Sequence, residues 1–289
     1  MLRSLRYPLG VFALFLMLSL LVAPVELQAS STEAVAAEYT MGVFPFIPTA
    51  SIEGIFAPLA AEISRATGRP IKLRTTTSFE KFMDELRSRS YDIAFIQPFD
   101  YVDIAKPGGY LLLAARNDRL TSHIVVKQDS PIKTLKDLKG KSLGMPPKVA
   151  AVSFMNLVSI KKAGLRPEHD VKIVYLASHQ ACLQQLMIGK VDACGVSPPG
   201  VRLVEQQMKT RFRLIHETPE IPSPLFVIKK ELPLRDREAV KAALLASDLN
   251  GVNPQLRSMF LGEVPKPFRV TTERDYDVIQ TYLKLLRQR

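Results

Sequence analysis

The chain has 289 residues, of which 47% are hydrophobic and 23% charged, and its formal net charge is +11. That is enough apolar material for a sizeable core, and it lies outside the composition of disordered or collagen-like chains. Two cysteines cannot make a dense disulfide framework, and the only long apolar run lies at the extreme N-terminus, so a polytopic membrane protein is excluded too.

Met1 to Tyr7 carries Arg3 and Arg6 and no acidic residue, and the apolar run Val11 to Val22 follows it. At 12 residues this run falls short of the roughly 20 that span a bilayer, so residues 1–37 read as a secretory signal. Small residues offer cleavage after Ala29, Ala36 or Ala37, and an uncleaved segment would act as an anchor. No cysteine precedes Cys182, which excludes a lipid-modified N-terminal cysteine; the expected location of the mature chain is outside the cytoplasm. Removing the leader takes two basic and two acidic residues, so the exported chain keeps +11. Its Lys and Arg residues are scattered rather than clustered, which reads as a solvated basic surface or an attraction for small anions, with no nucleic-acid partner.

From Tyr39 onward short β-type runs alternate with segments of helical period, the pattern of an α/β fold with largely parallel sheets. Tyr39 to Phe46 opens as a strand. Ile52, Ile55, Phe56, Leu59 and Ile63 then repeat at helical spacing up to a stop at Gly68, with Pro58 implying a late start or a kink. Ile71 to Arg74 reads as a strand, Thr77 or Ser78 caps a helix whose stripe is Phe79, Phe82, Met83 and Leu86, and Ile93 to Ile96 is a short buried strand. The second half repeats this order: strands at His123 to Lys127, Ser142 to Met145, Val171 to Leu176 and Val191 to Val196, with helices at Val149 to Ala163 and Gln180 to Ile188. Phe212 to His216 and Leu225 to Lys229 are further strands, and the chain is mostly helical after Asp236. Turn residues around 117–120 and 217–224 mark two crossings between lobes. Lobe one then combines residues 39–116 with 225–289, and lobe two is 121–216. A hinged cleft between them is a natural site for a small ligand.

Four segments carry a family resemblance: DIAFIQPFDYVDIA from Asp92, SPIKTLKDLKGKSLGM from Ser130, SHQACLQQLMIGKVDACGV from Ser178 and IPSPLFVIKKELP from Ile221. Together they resemble the phosphate, phosphite and phosphonate class of ABC-transporter periplasmic solute-binding proteins. The resemblance implies a two-lobed type II binding protein, each lobe a mostly parallel sheet flanked by helices. Such a protein closes on a small anionic solute without chemistry, needs no cofactor or metal, works as a monomer and hands the solute to an inner-membrane permease. A sensing role feeding a membrane kinase fits the same residues.

Three helix starts, at Thr77, Ser78 and Phe79, at Lys148 to Ser153, and at Ser178 to Gln180, follow strands and offer unpaired amides to an oxyanion. In the family the second of these usually reads Ser-Thr-Ser-Gly. Here it reads Val149, Ala150, Ala151, Val152, which removes three hydroxyl donors, each worth roughly 1.5–3 kcal/mol to a charged group. Ser223 and Pro224 stand where the family places an acidic residue for a ligand amine, which speaks against an aminophosphonate. The expected ligand set is His179, Gln97, Ser153 and the amides of Ala150 and Ala151, joined by Tyr101 and by Phe79 and Phe95 as a ring wall. Each has a plainer reading: His179 as a helix cap, Gln97 as a loop residue bonding its own backbone, and Phe79 and Phe95 as core.

Cys182 in the helix after Ser178 and Cys194 in the next strand admit three readings: a disulfide, the default in an oxidising compartment; two buried thiols; or, with His179, a set for a soft metal or arsenite. An enzyme is the remaining rival. The chain contains no G-x-S-x-G, P-loop, H-E-x-x-H or C-x-x-C pattern.

Overall fold

The computed structural model describes residues 37–262, 264 and 266–288, and Ala36–Arg289 forms one compact unit. Residues 1–36, which carry nearly all of the expected leader, lie outside the described residues. Among the described residues no helix is long and apolar enough to cross a membrane.

The first lobe is built from β1 (Tyr39–Val43), α1 (Thr49–Thr67), β2 (Ile71–Arg74), α2 (Phe79–Arg87), β3 (Ile93–Ile96), the one-turn α3 (Pro98–Asp100) and β4 (Tyr110–Arg116). The helical stripe of α1 is buried as its spacing predicts. Pro58 neither delays nor ends the helix, which starts at Thr49 and runs through it to Gly68, a left-handed cap at φ 67°. Fully burying five large side chains, at about 1.5–3 kcal/mol each, outweighs the roughly 3 kcal/mol of one interior proline. A short crossing strand, β5 (Arg119–Leu120), leads into the second lobe.

That lobe contains β6 (His123–Lys127), β7 (Ser142–Met145), α4 (Ala151–Lys162), β8 (Lys172–Tyr175), α5 (His179–Met187), β9 (Ala193–Val196), α6 (Pro198–Met208) and β10 (Phe212–Glu217). The return crossing is β11 (Ile221–Pro222), antiparallel to β5 with Ile221 opposite Leu120. The chain then adds β12 (Leu225–Lys229), α7 (Leu234–Ala246), α8 (Pro254–Leu261), β13 (Phe268–Arg269) and α9 (Asp277–Arg287).

The two main sheets run β13-β4-β12-β3-β1-β2 and β10-β6-β9-β7-β8. Both are mixed rather than mostly parallel. β1 is parallel to β2 and β3, and β7 to β8 and β9, whereas β12, β4 and β13, like β6 and β10, pair antiparallel. The antiparallel strands lie next to the crossings, because a chain that leaves a sheet and returns runs the opposite way on re-entry. The first lobe's core is aromatic, with Phe95 packed between Phe56 and Phe226 at ring separations of 5.2 and 4.9 Å.

Helix α9 joins the first lobe's core through Ile279 and Tyr282 and also reaches the second lobe. It packs against α3 and along α4, whose Met155 and Val158 join the first lobe's core. Lys161 of α4 donates to the carbonyls of Leu285, Leu286 and Gln288, satisfying the open C-terminal end of α9. Cys182 and Cys194 are joined as a disulfide between α5 and β9, with Cα atoms 6.1 Å apart. The free-thiol reading and the thiol-based metal or arsenite reading both fall away, since the two sulfurs are bonded to each other.

Candidate functional site

Helices α2, α4 and α5 start at the carboxyl ends of β2, β7 and β8, the edge of an α/β sheet where ligands bind. The two edges face one another. Gln97, directly after β3 of the first lobe, reaches the start of α4 in the second: its Oε1 accepts from the Ala151 amide at 2.8 Å, and its Nε2 donates to the Val149 carbonyl at 3.3 Å. The same Nε2 donates to Asp100 Oδ2 at 3.2 Å. Gln97 is therefore bonded across the lobes rather than to its own backbone alone, and at 3% exposure it is sealed there. Asp100 is buried beside it; loss of solvation pushes its carboxyl up to about 7, and the Gln97 hydrogen bonds pull the other way.

The α2 and α5 starts share one local design. Ser78 Oγ accepts from the Lys81 amide at 3.2 Å and Ser178 Oγ accepts from the Ala181 amide at 3.0 Å. Each serine satisfies one of the helix's orphan donors and leaves the first-turn amides ahead of it open. Helix α4 has no side-chain cap of its own, because Ala150 stands at the capping position. Ser153, fully buried one turn in, spends its hydroxyl proton on the Pro146 carbonyl at 3.1 Å.

His179 opens α5 and lies against the start of α6. Its Nδ1 accepts from the Ser197 amide at 3.2 Å. An amide can only donate, so Nδ1 carries no proton and the ring is the neutral tautomer with hydrogen on Nε2. Burial holds the ring in that state, lowering its pKa to about 4. Gly200 allows the approach, since a β-carbon there would lie 3.1 Å from His179 Cβ. Ser197 and Gly200 went unread in the sequence, although Ser197-Pro198 after an apolar run is a cap followed by a first-turn proline.

The other expected residues fall in different places. Thr77 is exposed, and the buried Thr76 beside it donates to the Ser78 carbonyl at 2.8 Å. Phe79 is half-buried, 5.9 Å from the Phe44 ring, and Phe44 in turn lies 4.8 Å from Phe46. Phe95 is fully buried and packs as core. Tyr101 stacks edge-on to Tyr276 at 5.1 Å and lines, with Lys106 and Glu273, a cavity of about 380 Å³ beside α9. Gln97, Ala150 and Ala151 are thus brought together, with Ser153 behind them, while His179 groups with Ser197.

A family model described as the periplasmic substrate-binding protein of a phosphonate ABC transporter matches residues 41–260. The chain belongs to this family. As a phosphonate-family binding protein it is the periplasmic substrate-binding component of an ABC transporter and is not catalytic. Solved structures share its fold at low identity. PhnD1 from Prochlorococcus marinus, in complex with methylphosphonate, is 17% identical with a TM-score of 0.73, covering 87% of this chain and 99% of that one. The binding-protein component of a phosphonate ABC transporter from Pseudomonas aeruginosa is 14% identical with a TM-score of 0.71, covering 86% of each. A Xanthomonas citri protein bound to ATP is 13% identical with a TM-score of 0.69, covering 88% and 98%.

Proposed function

We propose that the exported protein, as a monomer, captures a small oxyanion carrying an apolar substituent, of which methylphosphonate is the simplest phosphonate example, and delivers it to an inner-membrane permease. The observation that carries this reading is the Ser197 amide on His179 Nδ1, which leaves Nε2–H as a neutral donor at the first residue of α5. A neutral ring does not protonate an incoming oxyanion, and a hydrogen bond to a charged acceptor stabilises it by roughly 1.5–3 kcal/mol. The amides at the starts of α2 and α5 supply further donors. Phe46 and Phe79, both packed on the buried Phe44, offer an apolar wall at the edge of the first sheet.

Calorimetric titration with methylphosphonate at about pH 6, where the solute is a monoanion and His179 is still neutral, tests it. His179→Ala is expected to weaken binding at least tenfold, and His179→Asn, which retains a side-chain amide donor, to recover part of the loss. Unchanged affinity in His179→Ala would remove the histidine from the site. A long-range 15N–1H correlation spectrum should show the Nε2–H tautomer from pH 8 down to about pH 5, consistent with the lowered pKa.

A further inference from the structure

We propose that Gln97 determines specificity: by lending its side-chain carbonyl to the start of α4 it withholds that helix end from the solute, so the site selects a singly charged oxyanion over a doubly charged one such as inorganic phosphate. This rests on the solute reading above and adds the charge state it accepts.

Helix α4 begins without a capping side chain, so its first amides are open donors at the positive end of twelve residues of aligned peptide dipoles. Left free, such an end binds anions. It is not free. Gln97 Oε1 takes the Ala151 amide, and the orientation of the side-chain amide is fixed by chemistry, because Ala151 N–H can only donate and the Val149 carbonyl can only accept. Asp100 holds the same Nε2, so every polar atom of Gln97 is engaged. A solute oxygen entering here would displace a buried amide and leave Asp100 and Val149 without their donor. No hydroxyl compensates, since Val149 to Val152 carries none and the Ser153 proton goes to Pro146.

What remains is a small positive potential. Helix α6 starts with Pro198 and Pro199, which have no N–H, and the Ser197 amide is spent on His179. His179 is neutral. The α2 and α5 starts each supply roughly half a unit charge, and the exposed Glu80 in the first turn of α2 and Lys148 ahead of α4 carry opposite full charges that offset one another, so the sum matches one negative charge and undercompensates two.

The test is calorimetry at pH 8 with methanesulfonate and inorganic phosphate as probes, on the wild type, Gln97→Ala and Gln97→Glu. The wild type should prefer the sulfonate at least tenfold. Gln97→Ala, which uncovers the Ala151 amide, should narrow that preference at least tenfold by gaining phosphate affinity. Gln97→Glu, which keeps an acceptor on Ala151 but adds a negative charge, should weaken both anions at least tenfold. A wild type that prefers phosphate, or variants with wild-type selectivity and affinity, would overturn the proposal, and the wild-type preference between the two probes decides alone where the variants fail to fold. If His179→Ala binds both probes normally while Gln97→Ala changes selectivity, the histidine reading fails and this one stands; the converse pattern sinks this one only.

Discussion

Gln97 and Ala151 are 54 residues apart in sequence and follow strands of different sheets, yet the Gln97 side chain caps the helix that Ala151 begins. The contact makes the start of α4 a joint between lobes. Around it the same helix is gripped along its length, by Phe99 against Phe154 at 4.9 Å and by Lys161 against the end of α9.

The joint should give stability a particular pH dependence. Asp100 has a folded-state pKa raised from 3.8 to about 7, so between those values the folded state binds the extra proton and stability falls as pH rises toward 7. Asp100→Asn keeps an acceptor for Gln97 and removes the buried charge. It should therefore raise the unfolding free energy by roughly 1–3 kcal/mol at pH 8, by a smaller amount at pH 5, and leave it nearly unchanged at about pH 3, below the unfolded-state pKa. Urea denaturation at pH 8 and at about pH 3 checks this, and equal effects at both would refute it.

The disulfide spans 12 residues of sequence and lies wholly in the second lobe's core. Closing a loop of that size stabilises a fold by about 3 kcal/mol in the chain-entropy model. The Cys182→Ala, Cys194→Ala double variant should lose a comparable amount in denaturant, and reductant should shift the wild type but not the variant. Thiol counting on the unreduced, denatured protein should find none.

Asn156 of α4 is fully buried over Gly195 of β9, and neither atom of its amide has a hydrogen-bond partner. A β-carbon at position 195 would lie 2.2 Å from Asn156 Nδ2. Gly195→Ala should cost about 1–3 kcal/mol through overpacking, and the cost should shrink markedly in an Asn156→Ala background. Additive losses in that double-mutant cycle would mean the strain lies elsewhere.

Lys161→Met removes the donor that satisfies three terminal carbonyls of α9 while keeping most of the aliphatic stem. Faster amide exchange confined to the last turns of α9, with a loss of about 1 kcal/mol in stability, is the expected result. Unaltered exchange there would show that packing on α4 alone holds the helix.

Local patterning made most elements legible. The stripe of α1, the Gly68 stop, the serine caps of α2 and α5, and the short apolar strands β3, β7 and β9 all follow from spacing and capping chemistry, which act within a few residues. Helix α6 escaped because Pro198, Pro199 and Gly200 look like breakers, whereas prolines in a first turn need no N–H and start a helix. Strand β4 escaped as well, and the sheets read as mostly parallel because strand direction is a property of the returning chain. At the site, Phe95 and Tyr101 sit beside Gln97 in sequence, but the strand and the turn after it send them into packing instead.

By itself the sequence determined a two-lobed α/β chain of the solute-binding type, with its helix starts in place, since periodicity, caps and motif segments are written in neighbouring residues. Only the tertiary structure decided which starts stay open. It bonded Cys182 to Cys194, fixed the tautomer of His179 through Ser197, and set Gln97 on the amide of Ala151. Each of those pairs joins residues on different elements, and a hydrogen bond or a disulfide depends on separation in space, which local pattern does not encode.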